Sequence, residues 1–328
     1  MSLLEQAFQR FLLSMRFIKR ICFWRHSEFL CWRTLFFRDL SVILQTEKLN
    51  YTSKMNKSCF VRTGCKINLG LNITERRPDG YHNLQTIFYP VPLYDELTIA
   101  ESSGEDVLML AGNPLEGEVQ DNLVLRAVRL LRQEGHPVPP LHIDLRKVIP
   151  SGAGLGGGSS DAACAVRTIA GMFGLSLSEK QMEGLVGRLG ADCPFFINPR
   201  PLYAEGIGDE FTPVSLDLKG LYLVLVKPDV FVSTREAYAG VHPHEPVCSL
   251  LETAALPVEQ WEGRMVNDFE ESIFRSHPLL SDIKKELYRQ GAAYASMSGS
   301  GSTIFGLFRL KPDCASAFAR HFTFVCQL

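Results

Sequence analysis

The feature that most constrains this chain is the run Pro150-Ser-Gly-Ala-Gly-Leu-Gly-Gly-Gly-Ser-Ser160. It holds five glycines in eleven residues. Each glycine adds unfolded-state entropy that folding must overcome, so ordinary packing does not account for such density. Glycine instead gives freedom of φ and close backbone approach. The alternating apolar residues of 141–149 predict a strand leading into the run. The pattern DAACAVRTIAGMFG predicts a helix leaving it. A strand, a glycine loop and a helix start aim backbone N–H groups and the positive helix end at one point, which suits a polyphosphate. Ser159 and Ser160 add hydroxyls that could reach a phosphate or Mg²⁺. The run lacks the terminal G-K-[ST] of a Walker A loop. It is also denser and longer than a dinucleotide fingerprint. A flexible turn is the bland alternative.

The rest of the 328-residue chain is of ordinary globular composition, with 46% hydrophobic and 21% charged residues. That excludes a collagenous or largely disordered protein. A net charge of −2 gives no basic field for generic nucleic-acid binding. Nine scattered cysteines without a C-x-x-C pair argue against a disulfide framework or zinc site and suit a reducing cytoplasm.

Charge is uneven along the chain. Residues 1–57 hold ten Lys/Arg against four Asp/Glu, and the other 271 hold 24 against 32. The first segment is rich in aromatics, but basic residues interrupt every apolar run before it reaches membrane-spanning length. Three readings compete for it: an organelle presequence, a basic amphipathic helix, or an extension outside the working protein with Met55 as the true start. The last is preferred, because the aromatics follow no regular period.

From Ser58 onward the pattern predicts strands over 58–73 and 84–100, the second broken by Pro90 and Pro92. It predicts helices over 121–134, capped by Asp121, and 178–190, capped by Ser178, and strands over 220–227 and 303–308. Strands and helices mix without strict alternation. The expected fold class is therefore α+β with two domains, 58–208 and 209–328, after an extension of 1–57.

Four further motifs stand out. Lys66 and Asn68 lie two apart on a predicted strand and share a face, which is either a solvated edge or a site. Asp192, in Gly190-Ala-Asp-Cys-Pro-Phe-Phe196, is either a turn carboxylate or a group at the mouth of a core. Asp79-Gly-Tyr-His82 presents an aromatic and an imidazole that could stack on and hydrogen-bond a base-like ring, or is ordinary turn chemistry. Met297-Ser-Gly-Ser-Gly-Ser302 is a second small-residue loop, either a hairpin turn or a ligand-lining segment.

Taken in order, CKINLGL, DGYH, PSGAGLGGGSS, GADCPFF and SMSGSGST resemble the motif series of the GHMP kinases, from about residue 58 to the end. The run Thr63-Gly64-Cys65-Lys66 departs from the Pro-containing lead usual before the first-motif Lys. DGYH and KPDVFVST (227–234) are similar to elements by which some members recognise cytidine. The resemblance implies a two-domain GHMP-kinase-like fold. It implies ATP-dependent phosphorylation of a hydroxyl on a small molecule carrying a cytidine diphosphate. It further implies that Asp192 takes the hydroxyl proton, with Lys66 as its partner and Asn68 positioning substrate. Tyr81 would stack on cytosine, His82 would bond its edge, and Tyr238 would be a second stacking aromatic. Pro150, Ser151, Gly152, Ala153, Gly154, Leu155, Gly156, Gly157, Gly158, Ser159 and Ser160 would hold the ATP phosphates. Mg²⁺ would lie near Ser159, Ser160 or Asp192. Such an enzyme would act in the cytoplasm as a monomer or weak dimer, with no nucleic-acid partner and no membrane role for its core. The rivals are a kinase of a simpler alcohol such as homoserine or mevalonate, a silent nucleotide-binding module, or a membrane-attached protein using the basic leader.

Overall fold

A computed structural model describes residues 57–115, 117–314 and 316–328. The expectations for the leader fall almost wholly outside the described residues. The first sheet is built on a long antiparallel pair, β1 (Ser58–Arg76) and β2 (His82–Glu101). The other side of β2 carries β4 (Leu141–Lys147) near its end and β5 (Leu202–Glu205) near its start. β3 (Val107–Gly112) and β6 (Glu210–Pro213) extend the sheet beyond these two. Helices α1 (Leu123–Gln133), α2 (Gly157–Phe173) and α3 (Glu179–Gly187) cover one face.

The second sheet has the order β10-β7-β9-β8, with β7 (Tyr222–Lys227), β8 (Tyr294–Met297), β9 (Ile304–Phe308) and β10 (Phe322–Gln327). Every pairing in it is antiparallel. Four helices belong to this half: α4 (Thr234–Ala239), α5 (Leu250–Ala254), α6 (Phe269–Ser276) and α7 (Pro278–Arg289). β7 is buried on both faces. Leu223 and Leu225 pack toward the first sheet's Cys65, Ile67 and Leu69, while Val224 and Val226 pack toward Ile273, Ile283 and Leu287. This explains why its sequence is a continuous apolar run. Segment 266–268 reaches back to β1, where Leu71 N donates to Val266 O at 2.8 Å and Asp268 N to Leu71 O at 2.9 Å.

The α+β class expected from the sequence is what the structure contains. Several local expectations are corrected. β2 runs unbroken through Pro90 and Pro92. Between Phe88 and Glu96 it pairs with β1 alone, so a missing N–H on its other side costs no ladder bond. Pro92 also falls in a bulge, since Gly64 pairs with Tyr94 but Cys65 with Val91. The cap of α1 is Asn122, whose side chain accepts from Val124 N at 2.9 Å, and Asp121 lies in the preceding turn. α2 begins at Gly157, inside the glycine run. The first sheet continues past the expected boundary at 208, because β6 pairs with β5 as far as Pro213. Ser178 does cap α3, as part of a reciprocal capping box with Gln181.

Candidate active site

The β1–β2 ladder shifts register between Gly64 and Cys65, with the extra residues Pro92 and Leu93 on β2, and Lys66 follows one residue later. Cys65, Ile67 and Leu69 point into the core between the sheets, so the period of two puts Lys66 and Asn68 on the opposite face. That face is not a solvated edge: both residues are only 3% exposed. Lys66 Nζ donates to Asn68 Oδ1 at 2.7 Å and to Gly154 O at 3.1 Å, and lies 3.3 Å from Asp192 Oδ2. The Asp192 side chain is 37% exposed, so this carboxylate is the wet end of the pair. Asn68 Nδ2 donates to Thr86 Oγ1, whose hydroxyl donates to Gly70 O. Each polar group in this buried row is therefore satisfied and held in one orientation.

The glycine loop lies directly against this row. Lys66 N donates to Leu155 O at 3.0 Å. Gly154 has φ +74°, and a Cβ there would meet Ser298 O at 2.0 Å. Gly156 has φ +70°, and a Cβ would press on the Phe196 ring at 2.9 Å. Both positions demand glycine for conformation and for space. The close approach at Gly154 is to the second small-residue loop, which braces the first. Ser298 Oγ donates to Gly154 O at 2.9 Å and accepts from Asn68 N at 3.2 Å. Asn267, absent from the sequence reading, holds that brace by donating to Met297 O and Gly299 O.

α2 starts at Gly157 with no side-chain cap, which leaves its leading N–H groups without a capping side chain, and its first residues line a cavity of 1020 Å³. Every loop residue from Pro150 to Ser159 lines that cavity, as do Lys66, Asn68 and Asp192. Ser160 does not. It is fully buried and its hydroxyl has no hydrogen-bond partner, which turns this expected phosphate or metal group away from the site.

A second buried lysine sits beneath the loop, also absent from the sequence reading. Lys147 continues the inward face of β4 after Leu141, Ile143 and Leu145. Its Nζ bonds Asp95, and Asp161 at 2.6 Å. Asp161 also accepts from Thr63 Oγ1, and Asp95 accepts from the N–H groups of Val148 and Ile149. Burial pushes the Asp161 carboxyl up to about 6 against the pull of Lys147. Lys147 itself stays above its ordinary value: burial opposes the charge, but Asp161 and Asp95 outweigh it. The cluster ties the strand before the loop to the helix after it. One signal was available for it: period two places a Lys at an apolar position of β4.

The far side of the cavity is aromatic. Tyr81 is 62% exposed, on a turn held by the Arg77–Asp79 ion pair. His82 stacks on Tyr238 with ring centroids 4.9 Å apart and planes at 28°. The edge of Phe269 fixes Tyr238 in turn. Burial, then the charge of Arg76, lower the His82 pKa, so its imidazole is neutral near pH 7. Burial, with Asp192 adding to it, raises Tyr238 to about 12 and keeps it a phenol. Phe231, 61% exposed, also lines the cavity and lies beside Gly152. No helix among the described residues is long and apolar enough to cross a membrane.

Residues 122–198 match the model for the GHMP kinases N terminal domain, and residues 255–322 the GHMP kinases C terminal model. The chain is 55% identical over 246 residues to the 4-diphosphocytidyl-2-C-methyl-D-erythritol kinase of Bacteroides thetaiotaomicron, covering 74% of this chain and 89% of the relative. A crystal structure of 4-(cytidine 5'-diphospho)-2C-methyl-D-erythritol kinase superposes with a TM-score of 0.68 at 32% identity, covering 81% of this chain and 98% of that one. The phosphomevalonate kinase of Streptococcus pneumoniae shares the fold, with a TM-score of 0.61 at 16% identity, covering 83% of this chain and 99% of that one. The chain thus belongs to the GHMP kinase family, and within it groups with the 4-diphosphocytidyl-2-C-methyl-D-erythritol kinases.

Proposed function

We propose that this protein transfers the γ-phosphoryl group of ATP to the 2-hydroxyl of 4-diphosphocytidyl-2-C-methyl-D-erythritol, a step of non-mevalonate isoprenoid precursor synthesis. One observation carries the reading. A Lys–Asp pair and the uncapped start of α2 open into the same cavity as a Tyr, His and Tyr group. The relatives named above supply the substrate.

The leading N–H groups of α2 and the loop amides would receive the ATP phosphates, since an uncapped helix start favours anions. Asp192 stands where an acceptor hydroxyl can reach both it and Lys66. An alcohol has a pKa far above 7, so the carboxylate takes the proton late, as a loose phosphoryl-transfer transition state develops. Lys66 steadies that oxygen, and Asn68 with Gly154 O keeps the ammonium aimed. Most of the rate then comes from alignment and charge stabilisation. Tyr81 offers an open ring face for cytosine. The neutral His82, held by Tyr238, offers one donor and one acceptor to the base edge.

Among the described residues, no cluster of three or more His, Cys, Asp or Glu could hold a metal ion. Mg²⁺ arriving on nucleotide phosphates needs only one or two protein oxygens, because it keeps several waters. Ser159 and Asp192 line the cavity and fit that need. Bound there, the ion would neutralise charge on the transferred group.

ADP release measured with the cytidine-diphospho substrate, homoserine and mevalonate tests the assignment. Turnover is expected with the first alone. Equal or greater turnover with either other alcohol would overturn it.

A further inference from the structure

Three cationic side chains line the cavity: Lys66, Lys147 and Arg235. Two are spoken for. Lys66 is engaged by Asn68, Gly154 and Asp192. Lys147 is enclosed by Asp95 and Asp161. Arg235 is exposed, and among the described residues its guanidinium has neither an ion-pair nor a hydrogen-bond partner. Four carboxylates share the lining, those of Glu118, Asp121, Asp161 and Asp192. The fixed charge around the cavity is thus acidic on balance, although the proposed reaction brings two polyphosphates into it.

The place of Arg235 selects which polyphosphate it serves. It lies on α4 three residues before Tyr238, and residues three apart share a helix face. Tyr238 is the ring on which His82 stacks. Arg235 therefore stands one helical turn from the group assigned to the base, whereas the ATP phosphates are assigned to the loop and the α2 start. A diphosphate joining a cytidine to a sugar alcohol must run from the aromatic group toward Asp192. The guanidinium fork matches two phosphate oxygens at once, which an ammonium cannot do.

We infer that Arg235 grips the diphosphate of the acceptor substrate and so makes the site select a nucleoside diphosphate over a bare nucleoside. The inference rests on the substrate reading above and adds the residue that reads the diphosphate.

Calorimetric titration of the full-length protein with CDP, cytidine and a non-hydrolysable ATP analogue tests it, on wild type, Arg235→Gln and Arg235→Lys. Arg235 is exposed and has no partner among the described residues, so folding is expected to be unaffected. Wild type should bind CDP more tightly than cytidine. Arg235→Gln should lose about tenfold in CDP affinity, a typical loss for a charge-assisted hydrogen bond. Cytidine and the ATP analogue should change by less than about twofold, and Arg235→Lys should fall between. In turnover, the loss should appear in KM for the acceptor and not in KM for ATP. CDP affinity unchanged in Arg235→Gln overturns the inference and leaves the substrate reading standing. An equal loss for cytidine and CDP also overturns it, since the Arg would then serve the base. A wild-type protein that binds neither CDP nor cytidine overturns the substrate reading, and the inference falls with it.

Discussion

Two buried lysines flank the same glycine loop and do opposite things. Lys66 faces one carboxylate, and that carboxylate reaches water. Its other partners are neutral oxygens. Lys147 faces two carboxylates, with side chains only 0% and 3% exposed. Burying a charge is costly unless it is paired, and removing one partner strands the other. The first arrangement can lose its lysine and let Asp192 rehydrate. The second cannot. Burial alone therefore does not mark a group as functional; what separates the two is whether the partner carboxylate is open to water.

The largest expected effect separates them by rate. Lys66→Met and Asp192→Asn should each lower turnover by about a thousandfold, within the range for a positioned acid–base group, with thermal midpoints close to wild type. If Lys66→Met melts the protein as Lys147→Met does, the comparison breaks.

Next comes stability. Lys147→Met leaves Asp95 and Asp161 buried without their cation and should cost about 3–5 kcal/mol. That corresponds to a thermal midpoint lowered by about 10 °C, readable by calorimetry. A loss of turnover without a change in melting would place Lys147 in the chemistry after all.

A smaller effect tests the ground between the two lysines. Gly154→Ala forces a side chain against Ser298 O at a positive φ, and should cost about 1–3 kcal/mol. It should also weaken binding of an ATP analogue, because the brace and the loop must part. Unchanged nucleotide affinity would show that the brace is only structural.

The finest test uses pH. The Asp161 carboxyl titrates near 6 in the fold, above its ordinary value of 3.8, because burial disfavours its charge. Stability contributed by its protonated form is complete below about pH 4 and is lost as pH rises through about 6. Asp161→Asn lacks this loss. Between pH 4 and 7 its urea-unfolding free energy should therefore gain on wild type by about 1–3 kcal/mol. A gap that instead widens against the variant would mean that Lys147 keeps Asp161 ionised throughout.

The candidate site was partly legible because some of its signals are local. The glycine run lies between a strand and a helix, and the alternation of β1 put Lys66 and Asn68 on one face. The Ser178 cap is a four-residue pattern. What could not be read depends on distance along the chain. Asp95 and Lys147 are 52 residues apart, and Ser298 lies 144 from Gly154. Pro90 and Pro92 looked like strand breakers because the sequence does not say that β2 lacks a second neighbour there.

The sequence by itself determined that a phosphate-cradling loop exists, which residues carry titratable chemistry, and to which family of kinases the chain belongs. Tertiary structure decided that Lys66 meets Asp192 at 3.3 Å, that Ser160 turns inward, that a distant loop braces the cradle, and that Arg235 lines the cavity without an ion-pair partner among the described residues. Periodicity and capping act over a few residues and are written locally. Charge pairing and close backbone approach depend on which elements the folded sheets bring together, and no short window of sequence contains that.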